Sequence, residues 1–109
     1  MANTFKLKTK ANVGVNTVGI YTAPASTTTV VIGITMANTS GSGVNVGVGI
    51  TRAGTTEDVK LLKNAPIPQG SSLEFMAGNK IVLEETDTVT VDSDTNNSVD
   101  AALTIMEIT

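Results

Sequence analysis

The sequence predicts an all-β protein: a single antiparallel β-sandwich or jelly-roll-like domain of about eight or nine short strands. Three features of the 109 residues lead there. Val and Thr, whose branched side chains suit a pleated surface, are the leading residue types. Apolar and polar residues alternate with a period of two, and helical periodicity is nowhere sustained. Clusters of Gly, Pro, Asn, Asp and Ser interrupt the pattern about every ten residues, as turns between short strands do.

The first strand is expected over about Thr4–Lys10, with Phe5, Leu7 and Thr9 on a buried face and Lys6, Lys8 and Lys10 on a wet one. Residues 1–12 have the alternative of serving as an N-terminal arm on the domain formed by residues 1–109. A second strand, around Val15–Ala23, ends at Pro24. The third, about Thr28–Asn38, sets Val30, Ile32, Ile34 and Met36 against Val31, Gly33, Thr35 and Ala37. The polar cluster Asn38–Gly43 then turns the chain into a strand where Val44, Val46, Val48 and Ile50 alternate with Asn45, Gly47, Gly49 and Thr51. These two strands are expected to form a hairpin.

Asp58–Asn64 is the next strand. Ala65–Gly70 follows as a connection, because Pro66 and Pro68 exclude it from a central strand. Ser72–Ala77 and Lys80–Glu84 are expected to pair across Gly78-Asn79, a tight two-residue link. Val89 and Val91 mark a further strand, Asp94–Asn97 a turn, and Val99–Ile108 the last strand.

That last strand is apolar on both sides, with Ala101, Leu103 and Ile105 on one face and Ala102, Met106 and Ile108 on the other. Gly33, Gly47 and Gly49 lie inside strands, where glycine weakens a sheet unless something packs closely over it. A central strand covered on both faces, with simple bends at the glycines, is one reading. The other is contact with further copies of the chain, with Ala102, Met106, Ile108, Gly47 and Gly49 as the interface candidates.

Composition limits the partners. Aromatics are 3 % and Trp is absent, so Val, Ile, Leu and Ala must supply the core. Each buried Val or Ile contributes about 1.5–3 kcal/mol, against about 1–2 kcal/mol of backbone ordering per residue, so association would help such a domain. The net charge of −3 opposes binding to a phosphate backbone, and nucleic acid is not an expected partner. With no Cys there are neither disulfides nor thiolate chemistry. The start of the chain lacks the apolar core of a signal peptide and no stretch has the length of a membrane span, so synthesis in the cytoplasm and no membrane partner are expected.

The residue types present exclude most catalytic constellations. Without His or Cys there is no Ser-His-Asp triad, no Cys-His pair and no imidazole- or thiolate-ligated metal. Glu84, Glu85 and Asp87 cluster at a turn, but nothing around them in sequence marks a pocket that would raise one carboxyl's pKa, and a solvated turn is expected. Asp92-Ser93-Asp94-Thr95-Asn96 begins like a calcium loop, then has Asn97 where glycine is needed and Leu103 where a glutamate is needed. Gly41-Ser-Gly43 and Gly47-Val-Gly49 lack the third glycine and the helix of a dinucleotide site. Asn38-Thr39-Ser40 and Asn96-Asn97-Ser98 match the glycosylation pattern without a secretion signal. Tyr21, one of the few rings, is expected at a sheet edge with its hydroxyl in water, or as an exposed contact for a glycan. No catalytic residue, cofactor, metal or small-molecule substrate is therefore expected.

Three segments in order carry a resemblance. They are Tyr21-Thr-Ala-Pro24 leading into Val30–Ile34, then Leu62-Lys-Asn64-Ala-Pro66-Ile-Pro68-Gln-Gly70 leading to Leu73, then Gly78-Asn79-Lys80 through Leu83, Asp87, Val89 and Val91 to Val99-Asp100. Together they cover most of the chain, which resembles small virion structural proteins of tailed bacteriophages, especially marine phages. Such modules often carry Gly-Asp where this chain has Thr86-Asp87. The resemblance implies a non-enzymatic β-sandwich present in many copies on the virion, as a capsid decoration or cement protein. It leaves a tail or neck component open as an alternative, and the residues leave open a receptor- or carbohydrate-binding module. The implied partners are copies of itself, expected as a homotrimer, and major capsid or tail proteins.

Overall fold

The computed structural model describes residues 3–55, 57–76 and 80–109. They form nine strands: β1 (Asn3–Val13), β2 (Val18–Thr22), β3 (Thr28–Asn38), β4 (Val44–Arg52), β5 (Glu57–Ile67), β6 (Ser72–Phe75), β7 (Ile81–Leu83), β8 (Thr88–Ser93) and β9 (Val99–Ile108). Their antiparallel pairing is nested. β4 pairs with β5, β3 with β6 and β7 outside that hairpin, β2 with β8 outside those, and β1 with β9 outermost.

A ribbon paired in this way has one apolar face and can bury it only by folding over itself. Here β9 also pairs with β3 and β8 with β4, which divides the ribbon into two sheets. One runs β1-β9-β3, with β6 and β7 both along the far side of β3, and the other runs β2-β8-β4-β5. The result is the antiparallel, jelly-roll-like sandwich that the period-two patterning predicts. Val31, Ile34, Met36, Leu103 and Ile105 of the first sheet and Val46, Val48, Val89 and Val91 of the second are each buried in the core. Fully burying each such side chain stabilises the fold by about 1.5–3 kcal/mol.

Three expectations about pairing are corrected. β3 and β4 are not a hairpin but lie in different sheets, and residues 39–43 carry the chain across. Buried Asn38 fixes that crossing. Its Nδ2 donates to the carbonyls of Ser42 (2.8 Å) and Ile67 (3.0 Å), and its Oδ1 accepts from the Ser40 amide (2.9 Å). β6 and β7 do not pair with each other either. Both lie in line along β3, Phe75 opposite Ile34 and Leu83 opposite Thr29, while the Gly78-Asn79 turn falls outside the described residues. Finally, Ala65-Pro66-Ile67 belongs to β5 rather than to a connection. β5 is an edge strand, where the missing Pro66 N–H costs no ladder bond.

Two expectations about faces are also corrected. In β3 the register shifts between Val31 and Gly33, so Thr29 and Val31 point inward before the bulge and Ile34 and Met36 after it. Val30, which simple alternation places with Ile34, faces outward. In β1 the whole strand is inverted. Lys6, Lys8 and Lys10 sit opposite Ile105, Leu103 and Ala101 of the inward-facing series of β9, which puts Phe5, Leu7 and Thr9 outside. The cause lies in β9, whose inner series Val99, Ala101, Leu103, Ile105 ends in buried Glu107, and Lys6 Nζ lies 2.9 Å from its Oε1. β1 runs along the sheet edge, so Lys6 reaches this carboxylate and still keeps 43 % of its side chain in water. Of residues 1–12, the segment with the alternative of being an arm, residues 3–10 are paired along β9.

Candidate interaction face

The outer surface of the β1-β9-β3 sheet carries an apolar row four strands wide. Phe5 of β1 is opposite Met106 of β9, Met106 opposite Val30 of β3, and Val30 opposite Val82 of β7. Residues directly opposite share a face, so the four side chains stand side by side on the outside. Phe5 is 68 % exposed and Val82 59 %, and Leu7 in the next row is 65 % exposed. Ile108 flanks Met106 on the other side, between Asn3 and Thr28. Scattered exposed apolar residues are ordinary, whereas a contiguous apolar stretch of sheet marks a surface that other protein covers.

The same face changes character along its strands. Beyond the Leu7-Thr104-Gly33 row come Thr9, Ala102, Thr35 and Glu74, then Asp100 with Ala37 and Ser72. Small side chains leave hollows there. One of about 310 Å³ is lined by Gly33, Thr35, Ala102, Thr104, Glu74 and Phe75. Another, of about 350 Å³, lies beside it over Thr9, Lys10, Ala11, Ala37, Asp100 and Ala102. A Cβ added at Gly33 would meet nothing within 4 Å. One half of the face therefore protrudes and the other is recessed, and the outward positions paired across it hold two charges, Glu74 and Asp100.

Of the five interface candidates, Ala102, Met106 and Ile108 lie on this face, half-buried along β9. Gly47 and Gly49 lie on β4 in the other sheet, and the chain itself fills the space above them. A Cβ at Gly47 would stand 2.5 Å from Asp92 Oδ1 and 3.2 Å from the Leu62 carbonyl, and one at Gly49 2.9 Å from the Val59 carbonyl. The bulges of β5 press its backbone against β4 at these points. Sequence reasoning missed Phe5, Leu7, Val30 and Val82. The signal that would have found the first two is Glu107, a carboxylate in an inward-facing series that calls for a cation from the neighbouring strand.

The groups weighed for chemistry are held as structure. Tyr21 is buried, not wet: its hydroxyl donates to Glu107 Oε2 (2.6 Å) and lies 2.8 Å from Thr29 Oγ1. Burial first, and the neighbouring carboxylate second, push its pKa up to about 12. The Tyr21 hydrogen bond and then Lys6 hold Glu107 below the usual carboxylate range. With its ring inside, Tyr21 offers no surface on which a sugar could stack.

Two of the three turn carboxylates share one guanidinium and the third caps a neighbouring turn. Buried Asp87 accepts from the Glu84 amide (3.0 Å) and pairs with Arg52 Nε (3.3 Å), Glu84 pairs with the same guanidinium, and Glu85 accepts from the Ser26 amide (2.7 Å). The calcium-like segment is likewise tied to backbone, Asp94 to the Asn45 amide (3.1 Å) and Asn96 to the Val15 amide (3.3 Å). Among the described residues no group of three or more acidic side chains is placed to hold a metal ion.

No protein-family model matches the chain, and no curated protein does. Solved structures share its fold. A chain from the disulfide-linked pili that form Bacillus endospore appendages aligns over 99 % of this chain and 87 % of its own, with a TM-score of 0.57 and 16 % identity. VP2 of infectious bursal disease virus, in a subviral particle, aligns over 96 % of this chain with a TM-score of 0.58 and 11 % identity. A chain of the Gx strain of that virus gives 0.57 and 13 % over 95 %. This chain spans 32 % of the length of VP2 and 33 % of the Gx-strain chain. At such identities the likeness is one of fold.

Proposed function

We propose that the protein is a non-enzymatic structural component of a bacteriophage virion, present in many copies on the particle surface as a capsid decoration or cement protein. The observation that carries this reading is the outward apolar row Phe5-Met106-Val30-Val82, half-buried at its centre and exposed at Phe5 and Val82, a surface that protein contacts would take out of water. The resemblance of the three sequence segments to tailed-phage virion proteins supports it. So does a fold shared with a pilus chain and a viral subunit, two proteins found in assemblies of many copies.

The contacts between copies are non-covalent on this reading. The pili are described as disulfide-linked, a route closed to a chain without cysteine, which leaves apolar burial as the main source of affinity. Sedimentation velocity from low to high micromolar concentration tests the association. The wild type should associate, and Met106→Glu should hold it at monomer. A wild type that stays monomeric across the range, and binds neither capsid nor tail assemblies, overturns the proposal. Quantitative composition of a particle then separates the sites, since a decoration protein approaches the copy number of the major capsid protein and a tail or neck component falls far below it. The same sedimentation data count the subunits, three for the homotrimer expected from sequence, two for a sheet face that packs on itself.

A further inference from the structure

We propose that the outer face of the β1-β9-β3 sheet is self-complementary, and that two copies pack through it about a two-fold axis crossing the strands, the protruding half of each seated on the recessed half of the other. This deepens the self-association proposed above and rests on it. The argument starts from how the large and small residues are distributed. Phe5, Met106, Val30 and Val82 share one row, and Thr9, Ala102 and Thr35 share another, with the Leu7-Thr104-Gly33 row between them. A two-fold axis along that middle row exchanges the outer two. It lays Met106 of one copy over Ala102 of the other and Val30 over Thr35, filling the two hollows of about 310 and 350 Å³ with the side chains that otherwise stand in water. Facing sheets pack about 10 Å apart, with large residues of one interdigitating with small residues of the other.

Area agrees with a second copy as the occupant, and charge sets the limit of the contact, because the same axis lays Asp100 under Ile108 of the second copy and that carboxylate must keep its access to water. Four strands about 4.8 Å apart and about 3.3 Å per residue over ten residues give a face of roughly 600 Å². Two such faces bury on the order of 1,200 Å², the lower end of the range for specific protein interfaces. The three lysines of β1 point to the other side of the sheet, so the apolar row brings no like charges together. Glu74 lines the first hollow from the edge strand β6, where the exchange of rows brings Val82 of the second copy over it, so its carboxylate has to turn out over the sheet edge as the contact forms.

The test uses the full chain and exchanges knob for hollow. Ala102 is on the outside of β9, so Ala102→Leu adds a side chain that meets solvent in the monomer and the partner's Met106 in the dimer. Sedimentation should show its dimer weakened roughly tenfold or more, with unfolding of the monomer unchanged. Met106→Ala empties the knob and should also weaken association. The double variant A102M/M106A reverses the two sizes along the same strand and should recover most of the wild-type affinity. If Ala102→Leu dimerises as tightly as wild type, or if the exchange is no better than the weaker single variant, the two-fold arrangement is wrong even where the wild type associates. If the wild type itself never associates, this arrangement fails, and binding to capsid or tail assemblies then decides the broader reading separately.

Discussion

Replacing Tyr21 by Phe removes one oxygen from the interior, and the structure sets what that costs. The hydroxyl bridges Glu107 Oε2 at 2.6 Å and Thr29 Oγ1 at 2.8 Å, and both partners are buried. Losing a hydrogen bond to a charged group costs about 1.5–3 kcal/mol, and the second bond, to a hydroxyl, adds roughly 0.5–1.5 kcal/mol. A total near 2–4 kcal/mol is a large part of the stability of about 5–15 kcal/mol usual for a domain, and lowers Tm by roughly 10–20 °C. The variant also changes the response to acid. The folded state holds Glu107 below its ordinary value of 4.5, chiefly through Tyr21 and next through Lys6. A lowered carboxyl contributes stability that is fully present above the unfolded value and is lost as pH falls through the folded one. Wild type therefore loses stability on acidification below about pH 4.5, and Tyr21→Phe, whose Glu107 keeps the lysine but not the phenol, loses less. Urea unfolding followed by circular dichroism at pH 7 and pH 3 measures both effects. A difference under about 0.5 kcal/mol at pH 7, or a gap that widens in acid, would refute the account of this network.

Tyr21 is the only tyrosine, so ultraviolet titration reads it alone. Its raised value means that the neutral phenol supports the fold below pH 10 and that this support is lost as pH rises toward about 12. Ionisation at pH 10 with the fold intact would contradict the burial. Gly49→Ala should cost about 1–3 kcal/mol in thermal unfolding, because its Cβ would stand 2.9 Å from the Val59 carbonyl and must displace backbone. Gly43→Ala, with 3.8 Å to its nearest neighbour, should stay within about 0.5 kcal/mol of wild type. Thr86 has a φ of 67°, a left-handed conformation that costs a branched residue about 1–2 kcal/mol, and glycine there recovers about half of that net of its own entropy. Thr86→Gly should therefore raise Tm by a few degrees, and a fall would remove the physical reason for the Gly-Asp found at this place in the phage modules.

The sequence by itself determined the strand segments apart from the end of β5, the all-β class and the absence of imidazole and thiol chemistry, because these depend on local alternation, turn residues and residue types. It also marked β9 as apolar on both faces, since Ala102, Met106 and Ile108 stand out of register with Ala101, Leu103 and Ile105. Asn12, Asn64 and Asn97 all have positive φ, at the register shifts of β1 and β5 and at the turn before β9, consistent with their residue type. What the sequence did not contain is which strand receives which. A turn cluster such as Asn38–Gly43 tells where the chain reverses, and only the packing of the whole decides whether it reverses within a sheet or between two. The face of β1 depends on the same kind of distant information. Its alternation of lysines with Phe5 and Leu7 allows two orientations, and a carboxylate about a hundred residues away selects the one that leaves the apolar side in water. The candidate interaction face therefore appears only in three dimensions, where Phe5, Met106, Val30 and Val82, from four separate strands, come to lie in one row.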